Sequence, residues 1–136
     1  NSQIINDEKD ILKDSEILII NSIGQMQKYF SLCKNIFMGK SLLERLKKDG
    51  GQNPIEPAKF GCTIYHGPYV SNFLEIYDFL NKKGITKKIE DSKSLAEELS
   101  KNFTKNSDLK INLSELNEYG NKILSLSLSE IMALKK

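Results

Sequence analysis

Apolar residues form short blocks along the chain, and the spacing within each block predicts its secondary structure. Residues 16–21 hold a continuous apolar run between polar flanks, which predicts a buried parallel strand. Short apolar stretches at 36–39 and 62–65 predict two more strands, and the alternation at 85–89 predicts a strand near the sheet edge. Residues 1–15 are polar with little periodicity, so we expect a surface loop or a frayed arm there.

Apolar residues at helical spacing predict helices between and after these strands. The predicted helices are 25–34, a short surface stretch at 40–49, 71–83, 94–103 and 113–134, with a polar connector at 104–110. Ser71 and the pair Ser94 and Glu97 are expected to cap two of these helices, and Gly84 to end one. Because strands and helices alternate, the predicted fold class is α/β with a parallel sheet, in a single domain spanning residues 1–136.

Composition limits the classes of function only weakly. The 136 residues are 39% hydrophobic and 28% charged, and 20 basic residues against 18 acidic ones give a net charge of +2. This balance gives no argument for a nucleic-acid partner or for an anionic membrane surface. No stretch approaches the roughly 18 apolar residues of a membrane span, and no signal-peptide pattern is present. The chain does not begin with Met, which suggests a fragment or a processed chain.

The residues most often used in catalysis and metal binding are few. Cys33 and Cys62 have unrelated spacing and apolar surroundings, which predicts buried, reduced thiols and fits a cytoplasmic compartment. No metal-ligand spacing, Gly-x-Gly-x-x-Gly motif or nucleophile elbow occurs. The only histidine, His66, follows a predicted strand. Because it lacks a neighbouring acid or cysteine partner, we expect a structural or cleft-rim role rather than acid–base catalysis.

Residues 50–61, GGQNPIEPAKFG, combine a glycine pair with the start of a short helix. Asn53 is a good N-cap, Pro54 suits the first helical position, and Glu56 is placed to complete a capping box. Gly50 and Gly51 allow the backbone to approach a ligand closely, and the helix start offers free N–H groups and a partial positive charge. A nucleotide phosphate or ribose would suit this place, although a well-made short helix alone would also explain Asn53 and Glu56.

GGQNPIEPAKFG, followed by a predicted strand and GPYVSNF, resembles the corresponding segment of the Kdo transferases. In that family the pattern runs Gly-Gly-His-Asn-Pro-Leu-Glu-Pro-Ala, then a strand, then Gly-Pro-x-x-x-Asn-Phe; Gln52 stands where the family usually has His. Glu56, Ala58 and Gly61 also match the Glu-x-Ala-x-x-Gly pattern of many two-lobed (GT-B) glycosyltransferases. The resemblance covers roughly residues 11–99.

The resemblance implies which residues bind the donor nucleotide. From the best-matching motif these are Gly50, Gly51, Asn53, Pro54, Ile55 and Glu56. The loop Ile23-Gly24-Gln25 is expected to touch the cytidine largely through its backbone, although Asn21 and Gln25 replace two acidic residues of the family. Candidates for the cleft rim are Gln52, His66 and Asn72, the last of which the first turn of a helix explains nearly as well.

The resemblance also implies a fold and an activity. We expect a Rossmann-like sheet with flanking helices, the C-terminal, donor-binding lobe of a GT-B enzyme that transfers Kdo from CMP-Kdo to a lipid A precursor. In the family this is an inverting displacement without a metal ion or other cofactor, and the base lies on the N-terminal lobe. We therefore expect no catalytic residue here, a soluble fragment, and a full-length protein at the cytoplasmic face of the bacterial inner membrane, with membrane and acceptor contacts through the other lobe.

Two other readings of the sequence stay open. A related GT-B transferase that uses another nucleotide sugar could share this nucleotide-binding logic, because a fold does not determine the substrate. A non-catalytic α/β interaction module could keep the motif for structural reasons alone.

Overall fold

The computed structural model describes residues 1–6, 14–104 and 113–134, and its elements alternate as the sequence predicts. The strands are β1 (Ser2–Ile5), β2 (Ile17–Ile20), β3 (Asn35–Phe37), β4 (Thr63–His66) and β5 (Thr86–Lys88). The α-helices are α1 (Met26–Leu32), α2 (Ile55–Lys59), α3 (Leu74–Lys82), α4 (Ser92–Thr104) and α5 (Leu113–Ala133). Glu44–Asp49 and Ser71–Phe73 form 3-10 helices. The predicted α/β class is confirmed.

The strands form two parallel sheets, one of β1 and β2 and one in the order β3-β4-β5. In the larger sheet the central residue Ile64 pairs with Ile36 on one side and with Thr86 on the other. All four residues of β4 are buried, which its apolar character favours in a central strand. β5 lies at the edge, as its alternating pattern predicts. Because the strands are parallel, the loops that follow β3 and β4 leave the sheet at the same edge.

Helices α1 to α3 cover the larger sheet with apolar side chains. From α3, Ile76, Tyr77 and Leu80 are buried, at the spacing of one helix face. Phe30 of α1 and Ala58 of α2 belong to the same core. The other members of this core are Met38, Cys62, Ile64, Val70, Ile85 and Leu116. This packing places α2 and the start of α3 beside the edge where β3 and β4 end.

The smaller sheet differs from expectation in two ways. Residues expected to form a loop instead include β1, which pairs in parallel with β2 at Ile4 and Ile19. β2 is the predicted parallel strand, but the prediction that it is buried is wrong, since its four side chains are between 36% and 59% exposed. An apolar run indicates a preference for strand structure, but it does not show whether another element packs on the strand and buries it. Residues 7–13 of the loop expected at 1–15, and residues 105–110 of the connector expected at 104–110, lie outside the described residues.

Several helix ends also differ from the prediction. The predicted cap by Ser71 is wrong, because Ser71 opens a 3-10 helix and no side chain caps the start of α3. α4 begins at Ser92 rather than near Ser94, and Asp91 Oδ1 accepts a hydrogen bond of 2.7 Å from the Ser94 N–H. An aspartate is as good a cap as serine, so the earlier start is locally favourable. Gly84, with φ of +71°, ends α3 as predicted.

Helix α5 packs on the domain only through its first turns. Leu116 is buried, and Tyr119 stacks on Phe79 with ring centroids 4.4 Å apart. From residue 121 to residue 134 every side chain is exposed, including the apolar Ile123, Leu124, Leu128 and Ile131. No helix within the described ranges is both long enough and apolar enough to cross a membrane.

Candidate functional site

The loops that follow β3 and β4 are fastened to each other at the sheet edge. Ser41 Oγ donates a 2.6 Å hydrogen bond to the carbonyl of Met38 and accepts one of 2.9 Å from the N–H of Gly67. The N–H of Tyr69 donates to the carbonyl of Ser41 at 2.8 Å. A Cβ atom on Gly67 would collide with the backbone of Ser41, so the close approach of the two loops requires glycine there. These hydrogen bonds hold the loop that leads to Gly50 and Gly51 against the loop that follows β4.

Gly50 and Gly51 both adopt left-handed conformations, with φ of +65° and +82°. A Cβ on Gly50 would overlap the carboxamide of Asn72, and a Cβ on Gly51 would lie 3.1 Å from the carbonyl oxygen of Tyr69. The positive φ angles and the close contacts with Asn72 and Tyr69 therefore explain why glycine occupies both positions, apart from any ligand. Close approach of a ligand to their backbone stays a prediction.

Residues 49–53, which we term the diglycine loop, accept hydrogen bonds from α3 and from the 3-10 helix that precedes it. Asn72 Nδ2 donates a 3.0 Å hydrogen bond to the carbonyl of Asp49, and the Asn72 N–H donates one of 3.1 Å to the carbonyl of Gly50. The hydroxyl of Tyr77 donates to the carbonyl of Gln52 at 3.0 Å. The side chain of Gln52 is itself exposed. Asn72, expected at a cleft rim, is therefore bound to the diglycine loop.

Three successive backbone N–H groups of the diglycine loop lack an acceptor. The amides of Gly51, Gln52 and Asn53 donate to no group among the described residues. Consecutive amides beside left-handed glycines form a concavity that suits an anion. These groups can therefore bind a phosphate without first breaking an internal hydrogen bond.

Helix α2 starts much as the sequence predicts, with one exception. Asn53 Oδ1 accepts a 3.0 Å hydrogen bond from the N–H of Ile55, so Asn53 does cap the helix. Pro54 has helical dihedrals, φ −86° and ψ −3°, although the regular helix begins one residue later. The expected capping box is wrong: Glu56 is exposed, and its carboxylate pairs with no described residue. Glu56 and the N–H of Asn53 are both left available to a ligand.

His66 lies inside the protein rather than on an exposed rim. His66 is only 6% exposed, and its Nδ1 is 2.8 Å from the carbonyl oxygen of Gly67. Burial lowers the pKa of His66, and the hydrogen bond to Gly67 opposes this in part. No carboxylate in the described part of the chain pairs with the ring. The arrangement gives His66 a structural role and no geometry for acid–base catalysis.

The loop Ile23-Gly24-Gln25 is not tied to the diglycine loop by any hydrogen bond between described residues. Gly24 is left-handed with φ of +86°, and Ile23 is fully exposed. Gln25 precedes α1 without capping it. The Ser22 hydroxyl is buried and has no partner in the described structure. The contact of this loop with a nucleotide stays a prediction.

A cleft of about 490 Å³ opens between α3 and α5, and none of residues 49–53 is part of its lining. Its lining is Ile55, Ser71, Asn72, Phe73, Leu74, Glu75, Ile76, Tyr119 and Ile123. Sequence reasoning missed Glu75 and Tyr119 as cleft residues, and it missed Tyr77 as a support of the loop. No local signal could have found them, because each depends on contacts between distant parts of the chain. Within the described residues no group of three His, Cys, Asp or Glu side chains could hold a metal ion.

The fold and the site together define a class: an α/β protein whose free amides and unpaired carboxylate lie at the carboxyl edge of a parallel sheet, where such folds bind ligands. Comparison with known proteins narrows this class. The chain is 29% identical over 68 residues to 3-deoxy-D-manno-octulosonic acid transferase of Haemophilus influenzae, which covers 50% of this chain and 15% of that protein. It is 19% identical over 98 residues to the enzyme of the same name from Aquifex aeolicus, covering 72% of this chain and 27% of that protein.

A solved structure has the same fold. It is the crystal structure of the C-terminal CMP-Kdo binding domain of WaaA from Acinetobacter baumannii, with a TM-score of 0.56 and 24% sequence identity over 61% of this chain and 42% of that chain. No family model matches the chain. The resemblance to Kdo transferases stated from the sequence is confirmed, and the chain spans only 15% and 27% of the two relatives.

Proposed function

We propose that this chain is the donor-binding lobe of a glycosyltransferase that moves Kdo from CMP-Kdo to a lipid A precursor. The observation that carries the proposal is the set of unpaired groups at the sheet edge: the N–H groups of Gly51, Gln52 and Asn53 and the carboxylate of Glu56. They lie in the segment that resembles the Kdo transferases, and the fold matches that of a domain described as CMP-Kdo binding.

Each unpaired group suits one part of a nucleotide donor. The N–H groups of Gly51, Gln52 and Asn53 would donate hydrogen bonds to the phosphate, since charge-assisted hydrogen bonds to oxyanions are among the stronger ones. The Glu56 carboxylate would accept hydrogen bonds from the ribose hydroxyls. The cytidine would contact the backbone of the loop Ile23-Gly24-Gln25, as the resemblance implies. Pro54 and Ile55 would shape the turn between phosphate and ribose.

The reaction we propose is direct displacement at the anomeric carbon of Kdo. The acceptor hydroxyl attacks that carbon, the bond to the phosphate oxygen breaks, and CMP leaves with inversion. Amides that bind the phosphate stabilise the charge it gains as it leaves. We propose no metal ion or other cofactor. The base would come from a second lobe that also carries the acceptor and membrane contacts, and the whole enzyme would act at the cytoplasmic face of the bacterial inner membrane.

Calorimetric titration of the 136-residue chain with CMP, UMP and cytidine tests the proposal. We expect CMP to bind more tightly than UMP, because the donor base is cytosine, and more tightly than cytidine, because cytidine lacks the phosphate. A preference for UMP would instead indicate a transferase for another nucleotide sugar. No binding of any nucleotide would indicate an α/β interaction module that keeps the motif for its structure.

A further inference from the structure

Two of the three free amides of the diglycine loop, those of Gly51 and Asn53, are oriented by hydrogen bonds made on the opposite side of the same peptide groups. In a trans peptide the C=O of one residue and the N–H of the next point in opposite directions. The described chain has no cis peptide bond. The carbonyl of Gly50 accepts from Asn72, so the N–H of Gly51 points away from Asn72. The carbonyl of Gln52 accepts from the Tyr77 hydroxyl, so the N–H of Asn53 points away from α3.

We infer that Asn72 and Tyr77 are positioning residues for the donor phosphate, which they affect by fixing the peptide groups that precede Gly51 and Asn53. This inference rests on the proposed function, since it assumes that a nucleotide phosphate binds the diglycine loop. Neither side chain has to touch the phosphate. Preorganised donors are effective because they need no rearrangement when the ligand arrives.

The environment of each residue fits this role. The Asn72 carboxamide fills the space that a Cβ on Gly50 would occupy, so loop and side chain are matched in shape as well as in hydrogen bonds. The Tyr77 ring is buried and packs on the His66 ring. Burial also raises the pKa of Tyr77, which keeps its hydroxyl protonated and able to donate. A buried, neutral phenol is a stable anchor for a backbone carbonyl.

The test compares CMP with cytidine in four variants of the full 136-residue chain. Tyr77→Phe removes only the hydroxyl, and Asn72→Ala removes, without adding a charge, the carboxamide whose bond to the Asp49 carbonyl holds the Asn72 N–H against the carbonyl of Gly50. Asn81→Ala and Tyr29→Phe are matched controls, an exposed asparagine on α3 and a tyrosine on α1. We expect the first two variants to lose on the order of tenfold in CMP affinity, which is less than the roughly 100-fold effect that misplacing a binding group by 1 Å can have. Cytidine affinity should stay unchanged, because the loss concerns the phosphate, while the melting temperature should fall only by the few degrees that one lost hydrogen bond of about 1 kcal/mol produces.

A second readout is independent of any ligand. In the ligand-free chain the NMR order parameters of the Gly51 and Asn53 amides should be near those of rigid backbone, about 0.85, and fall towards about 0.6 in the two test variants. If the wild-type chain binds CMP and both variants bind it equally well, the inference fails while the proposed function stands. Equal losses for CMP and cytidine would also overturn it, since they indicate general damage. If the wild-type chain binds neither compound, the proposed function fails first.

Discussion

The ring of His66 lies 4.3 Å from the ring of Tyr77, measured between centroids, with an angle of 45° between the planes. His66 is on the central strand β4 and Tyr77 is on α3. The Tyr77 hydroxyl donates a hydrogen bond to the diglycine loop. The histidine that the sequence offers as a rim residue is thus part of the support beneath the loop.

We expect the chain to lose stability as the pH falls from about 7 to about 5, the region of an ordinary histidine pKa. Burial lowers the pKa of His66 in the folded state, so the unfolded chain takes up its proton first as the solution is acidified. Stability then rises with pH, by at most about 1.4 kcal/mol per pH unit for one group. Urea unfolding at several pH values should show this slope in the wild type and a smaller one in His66→Phe. Identical slopes would show that His66 does not titrate differently on folding.

Glu56→Ala should weaken CMP binding by about 1–3 kcal/mol, the usual range for charge-assisted hydrogen bonds. It should leave the melting temperature almost unchanged, because the Glu56 carboxylate makes no bond within the described chain. Calorimetry and thermal unfolding of the same samples measure both quantities. Glu97→Ala removes an equal charge from α4 and serves as the control. A variant that melts earlier and binds CMP normally would point to a helix-capping role.

Gly50→Ala should destabilise the chain more than Gly84→Ala does. Both glycines are left-handed, with φ of +65° and +71°, so each substitution costs the strain of that conformation, about 1–2 kcal/mol. A Cβ at Gly84 meets open space, whereas one at Gly50 displaces Asn72 and adds about 1–3 kcal/mol of overpacking. Chemical denaturation measures the difference. In an Asn72→Ala background the extra cost at Gly50 should largely disappear, and persistence of the full cost would contradict this account.

The purified chain should transfer no sugar from CMP-Kdo to a lipid A precursor. Displacement needs a base within about 3 Å of the acceptor hydroxyl. His66 is buried with Nδ1 beside the Gly67 carbonyl, and we propose that Glu56 binds the ribose. Mass spectrometry of the lipid product after long incubation provides a sensitive measurement. Transfer that His66→Ala abolishes would contradict this prediction and place the catalytic centre in this chain.

The sequence predicts the positions of helices and strands better than it predicts how they pair and how far they are buried. The helix that becomes α3 and its end at Gly84 follow from local spacing and from the left-handed preference of glycine. β1 escapes notice because its strand character depends on pairing with β2. β2 is recognised as a strand, but its exposure depends on what covers the sheet, which no local pattern encodes.

The candidate site shows the same division. Asn53 acts as a cap because its partner is two residues away, well within reach of a local rule. Glu56 fits the same local rule and yet forms no capping box, so its carboxylate is left for another use. The contact of Asn72 with the diglycine loop joins two loops that follow different strands. It could not be predicted without the register of the sheet.

The chain between Ser41 and Gly50 has both ends fixed by the segment after β4, through the bonds to Gly67, Tyr69 and Asn72. It is therefore an excursion whose length can change without moving its ends. Doubling the length of such a loop costs only about 0.6 kcal/mol in closure entropy. A short reporter peptide inserted before Leu43, an exposed residue just ahead of the 3-10 helix Glu44–Asp49, would lie close to the diglycine loop without interrupting that helix. This makes the excursion a natural place to attach a fluorescent probe of nucleotide binding.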